Sequence, residues 1–100
     1  DMSWTWERLG CLERRFIHGA NLTVAQFRLR AGCVVDRHSH TQEQITVVIE
    51  GVLEFDVGGR IFTATPGDVV YIPPGVEHSV KAITEAFVVD SFSPPRDDWR

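Results

Sequence analysis

Residues Gly32–Gly51 read GCVVDRHSHTQEQITVVIEG, and Gly67–His78 read GDVVYIPPGVEH. In the first block, five residues separate Gly32 from His38-Ser39-His40, three separate His40 from Gln44, and six separate Gln44 from Gly51. In the second, five residues lie between Gly67 and Pro73-Pro74-Gly75, and two more precede His78. Short β-branched runs bounded by glycine and proline read as strands that meet at sharp corners. Both blocks therefore belong to an all-β chain that carries its best metal donors at strand ends.

The same punctuation continues on either side. The pattern predicts strands over Leu22–Arg30, Val34–His40, Gln44–Glu50, Val52–Val57, Arg60–Ala64, Val69–Ile72, Glu77–Ala82 and Ala86–Phe92. Gly58-Gly59 suits a two-residue hairpin turn, Pro66-Gly67 a type II turn, and Pro73-Pro74-Gly75 a tight corner. No segment sustains helical periodicity, and Trp4–Arg8 reads as either a helical turn or an extended arm. Short antiparallel strands in this number predict a small single-domain barrel or jelly roll, which controls its edges by closure or by packing two sheets.

At 100 residues the chain has room for one domain, expected to span residues 1–100 with its core at about 20–92 and an arm at each end. An apolar fraction of 43% and a charged fraction of 24% are ordinary for a globular protein. No apolar run approaches a membrane span, and no charged-then-apolar leader opens the sequence. The net charge of −4, with no basic cluster, argues against nucleic acid as a partner. All the basic residues except Lys81 are arginine, the side chain suited to bidentate grip on carboxylates. Cys11 and Cys33 are expected to be two reduced, partly buried thiols, which points to the cytoplasm.

Residues of equal parity share a face of a strand, so His38 and His40 point the same way. If the strand continues unbroken, Gln44 joins them and Glu43 faces the opposite side. A bulge near Thr41-Gln42 reverses that choice. His78 arrives from a separate segment just after the Pro-Gly corner. The expected cofactor is a divalent metal ion (zinc, nickel, manganese or iron) held by His38, His40, Gln44 and His78. This ligand set is neutral, so the ion keeps its full charge as a Lewis acid and anchor for an anionic substrate.

The spacing Gly-x5-His-x-His-x3-(Glu/Gln)-x6-Gly followed by Gly-x5-Pro-x-Gly-x2-His resembles the paired motifs of the cupin superfamily. The resemblance covers residues 20–92 and implies a six- to eight-stranded β-barrel with the metal inside. Gln44 stands where many cupins carry Glu, and Ala82 stands where the second motif often closes with Asn.

The segment Val88–Arg96 carries the second signal. Val88, Asp90 and Phe92 share parity, which sets a carboxylate among apolar neighbours, where burial raises its pKa unless a cation opposes it. Such a group is a good proton carrier. Pro94-Pro95 ends the strand and fixes the reach of Arg96. On these residues alone, Asp90 could equally cap a turn, Phe92 fill the core and Arg96 sit in solvent.

The run Asp90–Trp99, DSFSPPRDDW, together with HSHxxEQ in the first block, resembles the KdgF-type cupins of pectin and alginate breakdown. Trp6–Leu9 (WERL) and Arg14-Arg15 are compatible with the same group. The resemblance implies linearisation of 4,5-unsaturated uronic acids, with His38, His40, Gln44 and His78 as metal ligands. It also implies catalytic roles for Asp90 and Arg96, and substrate contacts from Phe92 and Arg96. Other metal-dependent cupin enzymes, such as a dioxygenase or sugar isomerase, and a non-catalytic sugar-acid-binding cupin are the alternatives. A homodimer is the expected assembly, because β-rich segments such as Gln44–Glu50 are apolar on both faces and Trp4, Trp6 and Trp99 suit interface burial.

Overall fold

A computed structural model describes residues 5–99. Ten strands are present among them: β1 (Glu7–Leu9), β2 (Leu12–His18), β3 (Thr23–Leu29), β4 (Val34–His38), β5 (Glu43–Glu50), β6 (Leu53–Val57), β7 (Arg60–Ala64), β8 (Val69–Ile72), β9 (His78–Ala82) and β10 (Ala86–Ser93). A short 3-10 turn, Asp97–Trp99, follows. The strands form a six-stranded sheet in the order β1-β2-β3-β10-β5-β8 and a four-stranded sheet in the order β4-β9-β6-β7. Every pairing is antiparallel. The architecture is the expected all-β jelly roll, realised as two facing sheets rather than one closed hydrogen-bonded ring.

Alternation builds the interior. In β5 the buried residues are Gln44, Thr46 and Val48, and in β10 they are Ala86, Val88, Asp90 and Phe92. Leu53, Phe55, Ala64, Val70, Ile72 and Ala82 complete an apolar core between the sheets. Polar inward residues lie together at one end, which divides the interior into a packed core and a chemically equipped mouth. Gly51 makes the β5–β6 connection possible: its φ is 90°, and a Cβ there would collide with the Glu85 carbonyl and stand 2.7 Å from Ala86 Cα.

Two expectations fail at the N-terminal end. Residues 7–18 belong to the sheet rather than to an arm: β2 pairs with β3 along its whole length, from Leu12↔Leu29 to His18↔Thr23, and β1 folds back on β2. In the stretch read as either a helical turn or an arm, Glu7 and Arg8 are in β1, while Trp4 lies outside the described residues. The cysteines are not thiols. Cys11 and Cys33 are joined in a disulfide with Cα atoms 5.6 Å apart, tying the first hairpin turn to the loop before β4. Disulfides persist in oxidising compartments, so the cytoplasmic expectation loses the support of reduced thiols. Among the described residues no helix is long and apolar enough to cross a membrane.

Trp99 is likewise engaged by its own chain. Its ring packs against Phe16 at 5.0 Å and Phe92 at 5.1 Å, with the Arg14 and Arg96 guanidinium groups each 4.3 Å from its centre. Trp6 lies under Arg28 at 3.8 Å.

Candidate metal centre

His38 and His78 are direct cross-strand partners in β4 and β9, after an irregularity between Val35 and His38. Their ring centroids are 4.3 Å apart. His40 lies just beyond β4, and its carbonyl accepts a hydrogen bond from Gly75 N–H at 2.8 Å. Gly75 has φ 75°, a left-handed conformation that favours glycine, so the Pro73-Pro74-Gly75 corner fastens the second sequence block to the first. The ligand atoms of His38, His40 and His78 all lie within 4.8 Å of one another, close enough to hold one metal ion.

Each imidazole is oriented by the backbone. His38 Nδ1 contacts Asp36 O at 2.8 Å, His40 Nδ1 contacts Gln42 O at 3.0 Å, and His78 Nδ1 contacts Val76 O at 2.9 Å. A carbonyl only accepts, so each Nδ1 carries the proton and each Nε2 keeps a free lone pair. His78 Nε2 is buried with no protein partner, a costly arrangement that a metal ion would relieve. Burial pushes the His78 pKa down to about 4. His40 is also lowered, by burial first and then by the charge of Arg96. Both are therefore held in the neutral form that metal binding requires.

Gln44 gives a further sign of a cation. Its Nε2 donates to Thr46 Oγ1 at 2.9 Å and to Asp90 Oδ2 at 3.2 Å, which turns Oε1 toward His40. Gln44 Oε1 then stands 3.1 Å from His40 Nε2. With the His40 proton on Nδ1, two lone pairs face each other, which is favourable when a cation lies beside both. The residues fit an ion held by three imidazoles and an amide oxygen.

Gln44 reaches the histidines by neither of the routes weighed from parity, an unbroken strand or a bulge near Thr41-Gln42 that would favour Glu43. β4 stops at His38, the chain bends at Thr41-Gln42, and β5 begins at Glu43 in the other sheet. Gln44 points inward because it alternates with Thr46 and Val48 along β5. Glu43 points outward and accepts a hydrogen bond from Tyr71 Oη at 3.1 Å. Gln42 is buried too, but its Nε2 donates to Pro95 O at 3.1 Å and pins the C-terminal segment beside the histidine loop.

A cavity of about 260 Å³ opens between the sheets, with His38, His78, Gln44, Asp90, Phe92 and Arg96 in its walls. Asp90 is the cross-strand partner of Thr46, whose hydroxyl donates to Asp90 Oδ1 at 2.7 Å. Burial pushes the Asp90 pKa up to about 7, against the Thr46 hydrogen bond and the Arg96 charge. Phe92 meets the His40 ring edge-on at 5.6 Å. Arg96 lies over Phe92 with its guanidinium carbon 4.8 Å from the ring centre, and its backbone N–H donates to Thr23 Oγ1 at 2.9 Å. Arg96 is buried rather than a solvated tail charge.

The wall also contains residues to which the sequence reading gave no place in the site. Leu9, Leu12 and Arg14 come from the first hairpin, and Trp99 comes from the C-terminal turn. Thr46 had a usable signal, since it shares parity with Gln44. The hairpin had only Gly10, at φ 64°, because β2 is half-buried along its entire length and shows no alternation.

A jelly roll whose open end gathers three imidazoles is a cupin arrangement, and residues 25–92 match the cupin domain family. The chain belongs to that family. It is 33% identical over 82 residues to an uncharacterized protein of Streptomyces coelicolor, covering 81% of this chain and 78% of that one. An RmlC-like cupin from Shewanella frigidimarina superimposes with a TM-score of 0.93 at 29% identity, covering 98% of this chain and 90% of that one. KdgF from a Halomonas species superimposes with a TM-score of 0.90 at 28% identity, covering 96% and 91% of the two chains.

Proposed function

We propose that the protein is a metal-dependent, non-redox enzyme that opens the ring of 4,5-unsaturated uronic acid monosaccharides released by pectin or alginate lyases. The observation that carries this reading is the shared cavity: Asp90, buried and hydrogen-bonded to Gln44, faces the same space as His38, His78 and Arg96. The likeness of the fold to KdgF supports the substrate class.

The substrate is a cyclic enol ether bearing a carboxylate and an anomeric hydroxyl. His38, His40, His78 and Gln44 would hold the ion, which when bound supplies Lewis-acid stabilisation of negative charge on the sugar oxygens. Asp90 takes the proton of the anomeric hydroxyl. The C1–O5 bond then breaks, C1 becomes an aldehyde, and the electron pair passes to the C5 enol oxygen. A proton returned to C4 gives the C5 ketone, so atoms and electrons balance as an isomerisation. Arg96 binds the C6 carboxylate, and Phe92 covers the ring and excludes water.

The test mixes purified protein with lyase-generated unsaturated uronate and follows the enol-ether ultraviolet absorbance. Loss of absorbance beyond a protein-free control, abolished by chelation, is the expected result. Unchanged absorbance with metal-loaded protein rejects the reading.

A second copy of this chain is the proposed partner for the outer face of β5 and β8. There Ile45 pairs with Tyr71 and Val47 with Val69, and Ile45, Val69 and Tyr71 are exposed. Apolar patches of this kind mark association surfaces, and a two-fold axis lets one patch meet itself. Val69→Glu is expected to convert a sedimenting dimer to monomer; a monomeric wild type rejects the assembly.

A further inference from the structure

Two positions beyond Arg96, Asp98 accepts a hydrogen bond from Arg96 Nε at 3.0 Å and another from Nη2 at 2.8 Å. The partners differ in exposure: the Arg96 side chain is 9% exposed and that of Asp98 is 56% exposed. Water screens a carboxylate so placed, so the pair adds little to stability. Its effect is one of direction. The guanidinium also lies over Phe92 and Trp99, which fixes its plane. Asp98 then fixes its rotation within that plane.

A guanidinium has five N–H donors. Asp98 uses Nε–H and one N–H of Nη2, leaving the second N–H of Nη2 and both of Nη1. Those donors form the other edge capable of bidentate carboxylate binding. We infer that Asp98 is the positioning residue for Arg96, reserving the Nη1–Nη2 edge for the carboxylate of a sugar acid in the cavity. The inference rests on the proposed reading that Arg96 binds the substrate carboxylate. Asp98 touches no substrate and acts only through Arg96.

The experiment is a double-mutant cycle on metal-loaded protein with Asp98→Asn, Arg96→Gln and the double variant. Carboxylate binding is shared by ground and transition states, so Asp98→Asn should raise KM about tenfold and leave kcat within about twofold. In the Arg96→Gln background the same change should leave KM unaltered, because residues acting through one another are non-additive. A KM unchanged or lowered by Asp98→Asn overturns the inference, as does an additive effect in the double variant. Asp98→Glu, which keeps the carboxylate, should restore part of the loss.

The same cycle is read without turnover as the calorimetric dissociation constant of galacturonate, a saturated uronate. Absent turnover with a non-additive binding cycle rejects ring opening and keeps the role of Asp98. Turnover with an additive cycle rejects that role alone. Neither turnover nor galacturonate binding in the wild type rejects both.

Discussion

The Asp90 carboxylate accepts a hydrogen bond from Gln44 Nε2 at 3.2 Å and so helps decide which end of that amide faces the histidines. Thr46 completes the arrangement by accepting from the same nitrogen and donating to the same carboxylate. The proposed proton carrier and the proposed fourth ligand are thus parts of one hydrogen-bonded unit, and a change in either is felt by the other.

Asp90→Asn keeps the shape of the side chain and removes its ability to carry a proton. Turnover should fall by about two to four orders of magnitude, the usual range for a lost general acid–base. Metal per chain, measured by elemental analysis, should stay at the wild-type level, because the three imidazoles are untouched and an asparagine oxygen can still accept from Gln44 Nε2. Full activity in the metal-loaded variant would remove Asp90 from the mechanism.

Metal removal should lower thermal stability, since an ion bound only by the folded chain stabilises it by mass action. At free metal one hundred times its dissociation constant the effect is about 2.7 kcal/mol. For a domain of this size that corresponds to roughly ten degrees or more. His78→Ala should abolish the difference between metal-loaded and chelated protein in scanning calorimetry. An unaltered wild-type melt after verified removal of metal contradicts a resident ion.

In chelator-stripped protein the Asp90 pKa of about 7 makes a signed prediction. A carboxyl whose folded pKa lies above its ordinary value holds its proton more tightly in the folded chain. The resulting stabilisation is present below the ordinary carboxylate range and is lost as pH rises through about 7. The melting temperature of wild type minus that of Asp90→Asn should therefore fall by several degrees across that window. His78, lowered to about 4, acts oppositely and costs stability as pH drops below 6.5. It is present in both proteins, so the difference isolates Asp90. A difference that does not change with pH counts against a buried, raised carboxyl.

The Cys11–Cys33 bond closes a loop of sequence separation 22. Constraining the unfolded chain over such a loop is worth about 3 kcal/mol. Replacing both cysteines with serine should lower stability by that order in a urea titration. Reductant should have the same effect on the wild type and none on the variant. Equal stability of the two proteins without reductant would show that the bond contributes nothing.

Much of the fold was written in punctuation. Gly58-Gly59, Pro66-Gly67 and Pro73-Pro74-Gly75 each break the chain where a strand ends, and strands β3 to β10 fall within a residue or two of the expected bounds. The β1–β2 hairpin was hidden because its residues are exposed or half-buried throughout and carry charge at alternating and adjacent positions alike. The disulfide was hidden because its partners are distant in sequence and meet only when that hairpin docks. The histidines were legible from spacing. The change of sheet between His40 and Gln44 was not, since Thr41-Gln42 carries no glycine or proline to mark the bend. The clasp of Asp98 on Arg96 had no sequence signal, because only the turn at Asp97–Trp99 sets the two side by side.

The imidazoles at 38 and 78 ride on the four-stranded sheet, with His40 just past its edge, whereas Gln44, Thr46, Asp90 and Phe92 belong to the six-stranded one. The mouth is consequently a seam: one wall brings the three imidazoles, and the opposite wall brings the amide of Gln44 together with the proposed proton carrier. Inward substitutions on β5 and β10 would therefore reshape the wall facing the histidines while the trio of nitrogens stayed put.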